Sequence, residues 1–198
     1  FHAEKTFTAE GNRALKKQLV EEDRAHAALV FDGEEAVAWC QYGPPEELPN
    51  IHHRKEYEAA LDKPPDYRIT CIFVDKKYRR KGVTETALRG AVDLIAQAGG
   101  GVVEGYPHDT TDGKKVSVLY NSTRSLYERA GFSYLRPKGK RNCVMRRVVP
   151  GQPLPALQLP GGDDYHRRRD GERRHPARAR GGSSRDRGGG PRGIRRTP

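Results

Sequence analysis

The stretch between residues 74 and 84 places five cations directly before a glycine. The cations are Lys76, Lys77, Arg79, Arg80 and Lys81. A helix-like pattern begins after Gly82, and the start of a helix carries unpaired N–H groups and a partial positive charge that cations disfavour. The arrangement is explained if an anion such as a phosphate or pyrophosphate binds at this point.

Gly82 is the residue that would let such an anion approach the backbone, because it has no Cβ. The amides of residues 80–84 could then point at one ligand. The stretch lacks the first glycine and the Lys-Ser/Thr order of a Walker A loop, and it also lacks G-x-G-x-x-G. A solvated basic surface or a nucleic-acid patch remains the alternative interpretation of the cations.

Two other side chains could transfer protons. Glu104 interrupts the short apolar run GVVEGY, and Tyr127 lies in SLYERAGF at 125–132. The alternative for Glu104 is an outward-facing residue paired with Lys or Arg, and the alternative for Tyr127 is a half-buried aromatic on an amphipathic helix. His52 and His53 are expected to be solvated, and neither they nor the scattered cysteines have the spacing of a metal site, so no metal is expected.

Periodicity and turn residues predict the elements that would position these groups. A helix is expected at 8–24, capped by Thr8, with Ala14, Leu15, Gln18 and Leu19 on one face. A hairpin turning at Asp32-Gly33 follows, and then a long loop at 43–66 with a short helix near 54–61. The remaining predictions are strands at 67–74 and 101–106, helices at 84–98 and 122–130, and a final hairpin turning near 138–140.

The predicted order of elements indicates an α+β (mixed α/β) fold with one mixed sheet. The strands at 67–74 and 101–106 are joined by a crossover helix, so they are expected to be parallel. The helices would then cover the faces of the sheet.

The charge changes sharply near Pro150. Residues 1–150 carry 25 basic and 21 acidic side chains, whereas residues 151–198 carry 12 arginines, no lysine and 5 acidic side chains. We therefore expect a domain at 1–149 and a disordered basic tail at 150–198. Three isolated cysteines, and no apolar run of roughly 18 residues, predict a reducing, cytoplasmic location without a membrane partner.

The phosphate-binding pattern resembles the GNAT superfamily of N-acetyltransferases. Arg79, Gly82 and Thr84 occupy the positions of its [RQ]-x-x-G-x-[GA] loop, with Thr in place of Gly or Ala. SLYERAGF is similar to its L-Y-E-x-x-G-F signature. The resemblance covers about residues 8–149. The superfamily's first strand and first helix have no counterpart in this sequence. The resemblance therefore implies a domain that is incomplete at its N-terminus.

The resemblance implies acetyl transfer from acetyl-CoA to a primary amine, with no metal required. A lysine-like amine has a pKa near 10.4, so only about one in 2,500 is neutral at pH 7 and a base is needed. Glu104 is the expected base, and Tyr127 is the expected acid for the leaving thiolate. The residues expected to bind acetyl-CoA are Ile72, Phe73, Val74, Arg79, Arg80, Lys81, Gly82, Val83 and Thr84.

Two other functions remain open from the sequence. The tail ARARGGSSRDRGGGPRGIRR could bind nucleic acid through its arginines. The domain could also bind acyl-CoA without turnover. The acceptor is left open among a peptide N-terminus, a lysine, an aminoglycoside and a small amine. The superfamily often has Asn seven positions before its Tyr, and here Tyr120 holds that position with Asn121 next to it.

Overall fold

The computed structural model describes residues 2–4, 6–109 and 120–152. The predicted tail, from residue 153 onward, lies outside these residues. Within them six strands form one sheet in the order β1-β2-β3-β4-β6-β5. The strands are β1 His26–Asp32, β2 Glu35–Gly43, β3 Tyr67–Val74, β4 Gly100–Gly105, β5 Ser133–Lys138 and β6 Asn142–Pro150.

The helices are α1 Ala9–Glu21, α2 Arg54–Ala59, α3 Val83–Gln97 and α4 Arg124–Arg129. The α+β fold with a mixed sheet is confirmed, including the parallel pairing of β3 with β4. No helix among the described residues combines the length and the apolarity needed to cross a membrane.

Helix α3 contributes six buried residues to the main core. Its apolar stripe was predicted from an i, i+3, i+4, i+7 spacing, and its residues Leu88, Ala91, Val92 and Ile95 are all buried. The stripe packs on Ala38, Cys40, Ile72 and Val74 of the sheet. This packing fixes the start of α3 at the end of β3, which is where the basic loop lies.

Helix α1 corrects one part of the prediction. Thr8 does cap it, since the Thr8 side chain accepts a hydrogen bond from the Gly11 amide at 3.0 Å. However, Ala14 and Gln18 are exposed, and Leu19 is the buried residue. The contact face is shifted because Lys16 lies over the Trp39 ring, with its Nζ 5.6 Å from the ring centre.

The last strand extends beyond the predicted domain end at Val149. Pro150 pairs with Gly100, and the Gln152 amide donates to the Ala96 carbonyl at 2.9 Å. The folded part of the chain therefore reaches at least Gln152. That residues 153–198 form a separate tail stays a prediction.

Truncation tests this boundary. A chain that stops after Gln152 should keep the Tm of the full chain. A chain that stops after Val149 loses the Gln152 hydrogen bond, worth about 1 kcal/mol, so its Tm should fall by about 2–4 °C. Calorimetry on the three chains measures both effects. A large Tm drop for the chain ending at Gln152 would contradict a separate tail.

Candidate functional site

The basic loop turns sharply between β3 and α3. Asp75 accepts a hydrogen bond from the Lys77 amide at 2.8 Å and starts a short 3-10 turn. Arg80 and Gly82 then adopt left-handed backbone conformations, with φ of 62° and 78°. Such a φ is uncommon for arginine and easy for glycine. Gly82 caps α3 without a side chain, so the first amides of the helix are left open to a ligand.

The five cations of this loop are exposed. In the part of the chain that the structure describes, none of them forms an ion pair; Arg79 Nε donates to the Val74 carbonyl, and Lys81 lies over the Tyr78 ring. A Cβ placed on Gly82 would meet no atom within 4 Å. The loop thus presents positive charge and helix amides around open space, and its binding of an anion stays a prediction.

Strand β3 pairs with β4 only through its first three residues, which lie opposite the last three residues of β4. The register runs from Tyr67 opposite Val103 to Ile69 opposite Gly105, after which the strands diverge. Residues 120–123 lie between the diverging strands: the Ile72 amide donates to the Tyr120 carbonyl at 2.8 Å, and the His108 amide donates to the Ser122 carbonyl at 3.1 Å. The divergence therefore leaves backbone donors of β3 without a strand partner.

The three predicted strand residues do not present the same groups. Because the Ile72 amide points away from β2, the amide of the next residue, Phe73, points towards β2. The Phe73 side chain is 49% exposed. Phe73 can therefore contribute its ring to a ligand site, but not its amide. The backbone groups that face the gap between β3 and β4 belong to Ile72 and Val74.

Tyr127 is fully buried beside the last paired residue of β4. Its ring contacts that of Phe132 edge-on, with 5.1 Å between the ring centres, and a Cβ on Gly105 would collide with the Tyr127 ring. No hydrogen-bond partner for Tyr127 Oη exists among the described residues. Burial raises the pKa of this phenol well above its usual value, so the hydroxyl keeps its proton at neutral pH.

Glu104 is also fully buried, but both of its oxygens are occupied. Arg146 donates to Oε1 from Nη2 at 2.7 Å and from Nε at 3.0 Å. Tyr57 Oη and Tyr106 Oη donate to Oε2 at 2.6 and 3.2 Å. The alternative interpretation, an outward-facing residue paired with Lys or Arg, is therefore wrong about the position of Glu104 and right about its basic partner. An amine cannot reach Glu104 directly in this arrangement.

A cavity of about 230 Å³ lies next to Glu104, on the side of Tyr106. Its lining residues, which define the small cavity below, are Ile51, His52, His53, Tyr106, His108, Tyr120, Asn121, Lys138 and Asn142. The sequence reasoning missed this site because its residues come from four separate segments. His52 and His53 are exposed as predicted, yet they also line the cavity.

A larger cleft of about 1160 Å³ lies between α1, β1 and the loops at 44–47 and 63–67. It contains none of the residues predicted for the reaction. Volume alone does not identify a reaction site, and the divergence of β3 and β4 brings together the predicted groups. We therefore place the candidate site at the divergence and in the small cavity.

Several solved structures are similar to this chain. An acetyltransferase of the GNAT family from Desulfovibrio desulfuricans is 19% identical, with 72% of this chain and 84% of that chain covered and a TM-score of 0.43. The ribosomal-protein-S18-alanine N-acetyltransferase from Escherichia coli is 13% identical, with 72% and 81% covered and a TM-score of 0.42. Arabidopsis thaliana NAA60, in complex with acetyl-CoA, is 15% identical, with 63% and 76% covered and a TM-score of 0.37.

No curated protein matches the sequence. The sequence profile of the acetyltransferase (GNAT) family, in contrast, matches residues 2–132. That match covers well over half of the chain and includes both the basic loop and the segment around Tyr127. The chain therefore belongs to the acetyltransferase (GNAT) family.

Proposed function

We propose that the chain is an N-acetyltransferase that moves an acetyl group from acetyl-CoA to a primary amine. The observation that carries this proposal is the divergence of β3 and β4, with the open start of α3 at one end and the unpartnered hydroxyl of Tyr127 beside it. A thioester in this gap would meet a backbone donor and an acid.

The loop would bind the diphosphate of acetyl-CoA. Residues 80–84 supply helix amides, and the exposed cations add an attraction that salt weakens. Gly82 keeps the approach to these amides free of a side chain. Arg79 would stiffen the loop, because it holds the end of β3 through the Val74 carbonyl.

The amide of Ile72 would hold the thioester oxygen. In the structure this amide donates to the Tyr120 carbonyl, so a carbonyl of acetyl-CoA would take the place of that of Tyr120. A backbone donor aimed at the oxygen stabilises the negative charge that develops in the tetrahedral intermediate. Binding would therefore displace the Tyr120 carbonyl from the Ile72 amide.

The reaction then needs two proton transfers. The amine nitrogen attacks the thioester carbon, the C–S bond breaks, and the departing thiolate takes the Tyr127 proton. The proton lost by the amine would reach Glu104 through Tyr106, whose hydroxyl already donates to Glu104 Oε2. Each transfer of this kind typically contributes about 10²–10⁴-fold in rate.

Measurement of CoA release from acetyl-CoA, with a range of amines, tests the proposal. Calorimetry with acetyl-CoA separates binding from turnover. Binding and amine-dependent release of CoA support an N-acetyltransferase. Binding without release for any amine would instead support an acyl-CoA-binding domain, and absence of binding would contradict both.

The proposed proton route predicts the effect of Tyr106→Phe. This change removes the hydroxyl between the small cavity and Glu104, while the Arg146 and Tyr57 contacts of Glu104 remain. We expect turnover to fall at least about tenfold, with little change in Tm or in acetyl-CoA affinity. The kcat of the variant against pH, beside that of the wild type, measures the effect.

Glu104→Gln is the companion change. It removes the charge partner of Arg146, whose side chain is 29% exposed and can be partly hydrated. The variant is expected to lose some stability, so its turnover is interpreted only below its own Tm. A wild-type pH profile in both variants would contradict the route. The base would then lie elsewhere, and His108, which lines the same cavity, would be the next residue to change.

A further inference from the structure

We infer that the acceptor is a small primary amine that also carries an anionic group, and that Lys138 binds this group in the small cavity. The inference rests on the proposed acetyl transfer and specifies its substrate class. Two sets of polar atoms in the cavity support it. One set suits an ammonium group, and the other suits an anion.

The small cavity adjoins the proposed point of transfer on two sides. Tyr120 lines it, and the Tyr120 carbonyl is the group bound by the Ile72 amide. Tyr106 also lines it and donates to Glu104. A molecule in the cavity would therefore have its amine beside the thioester and beside the proposed proton route.

Two acceptor atoms in the wall are left without partners. Asn121 is 7% exposed, and its Oδ1 has no hydrogen-bond partner in the described ranges; the same holds for His108 Nδ1. A buried polar atom without a partner costs about 1–3 kcal/mol. Burial lowers the pKa of His108, so its ring is neutral and can accept a hydrogen bond. Both atoms suit the N–H groups of an amine.

Lys138 provides the complementary group. It is 2% exposed, its Nζ donates to the His52 carbonyl, and it lies 4.7 Å from the centre of the Tyr106 ring. No carboxylate among the described residues lies within ion-pair distance of it. A buried ammonium is normally paired, and an anionic group on the ligand would pair it.

The surroundings favour an anion rather than a second cation. Burial, together with Arg68 and Arg136, lowers the pKa of Lys138 to about 8, so the side chain is still mainly protonated at neutral pH. Two carboxylates, Glu56 and Glu104, act in the opposite direction. Glu56 accepts a hydrogen bond from the Gly139 amide, and Glu104 is paired with Arg146. A polyamine, an aminoglycoside or a lysine-rich peptide would bring further positive charge into this cluster.

The volume of the small cavity favours a small acceptor. Pockets for drug-sized ligands measure about 300–1,000 Å³, and this partly open cavity measures about 230 Å³. An amino-acid-sized molecule fits that space. A carboxylate and a phosphate are both anions that Lys138 could bind, and the test separates them.

The test compares pairs of acceptors that differ in one charge. CoA release is measured with free amino acids and with their carboxamides, with 2-aminoethyl phosphate, and with spermidine. For the wild type we expect kcat/KM for the best anionic acceptor to exceed that of its uncharged partner, and that of spermidine, at least about tenfold, as one charge-assisted hydrogen bond would give. Whether the amino acids or 2-aminoethyl phosphate react faster identifies the anion.

The variant Lys138→Met keeps the length of the side chain and removes its charge. It should bring the ratio of kcat/KM for the amino acids to kcat/KM for their carboxamides close to one, while acetyl-CoA affinity stays unchanged. Lys140→Met is the matched control, because Lys140 is an exposed lysine in the same hairpin. This control should leave the ratio as in the wild type.

Binding of the acceptors alone separates this inference from the proposed function. The Tm of the protein is measured with each acceptor in the absence of acetyl-CoA, and we expect a rise with the anionic amines that Lys138→Met abolishes. If that rise occurs without any CoA release, acetyl transfer is wrong and the anion site stands. Equal turnover of acids and amides, a preference for spermidine, or no Tm rise and no turnover with any anionic amine would overturn the inference.

Discussion

Gly82→Asp should abolish acetyl-CoA binding. Gly82 caps α3 with a φ of 78°, and a Cβ at this position would point into space that holds no protein atom within 4 Å. An aspartate side chain would therefore occupy the region where the proposed diphosphate meets the helix amides. A like charge placed against a ligand costs several kcal/mol, and so we expect an affinity loss of more than about a hundredfold.

Gly82→Asn is the control for this prediction. Asparagine has nearly the same size as aspartate, and it also tolerates a left-handed backbone, so the two variants carry similar strain. Their Tm values should agree closely. Calorimetry should show a much smaller affinity loss for asparagine, and the difference between the variants should shrink as salt is added. Equal affinity of the wild type and Gly82→Asp would refute the proposed role of the loop.

The elements that the sequence predicted well are those set by local patterns. Strand β3 was predicted at 67–74 and is found there, because its apolar run is bounded by turn residues. Helix α3 was placed within one residue at each end by its apolar stripe and by the glycines that flank it. The basic loop follows directly from these two elements, and so its position was predictable.

The surroundings of individual side chains were not predictable in the same way. Glu104 was expected to be the base, with a basic partner only in the outward-facing alternative. Its partners Arg146 and Tyr57 are 42 and 47 positions away in the chain, and no local pattern joins them. The face of α1 was wrong at Ala14 and Gln18 for a similar reason, since Trp39 of a later strand decides which side is covered.

Lys138 is the clearest example of a side chain whose surroundings could not be predicted from the sequence. It was predicted only as part of a hairpin turn, where a lysine is normally solvated. The structure buries it, because the loop before α2 folds over the hairpin and supplies the His52 carbonyl as an acceptor. Residues on both sides of that long-range contact line the small cavity, and so no local pattern in the sequence could indicate this cavity.

Tyr127→Phe should lower turnover by at least about tenfold and leave acetyl-CoA affinity nearly unchanged. The change keeps the ring, so the edge-on contact with Phe132 and the close packing against Gly105 remain. Only the proton donor for the thiolate is lost. Single-turnover measurement of CoA release, with acetyl-CoA saturating, isolates this step from binding.

The Tm of Tyr127→Phe separates a proton donor from a packing residue. The Tyr127 hydroxyl is buried without a partner among the described residues, and removing such a group relieves a cost of about 1–3 kcal/mol. The variant should therefore be as stable as the wild type or more stable, while it turns over more slowly. Phe132→Leu, which alters the packing of the ring and keeps the hydroxyl, should lower the Tm instead. Full activity in Tyr127→Phe would mean that water protonates the thiolate and that Tyr127 serves the core alone.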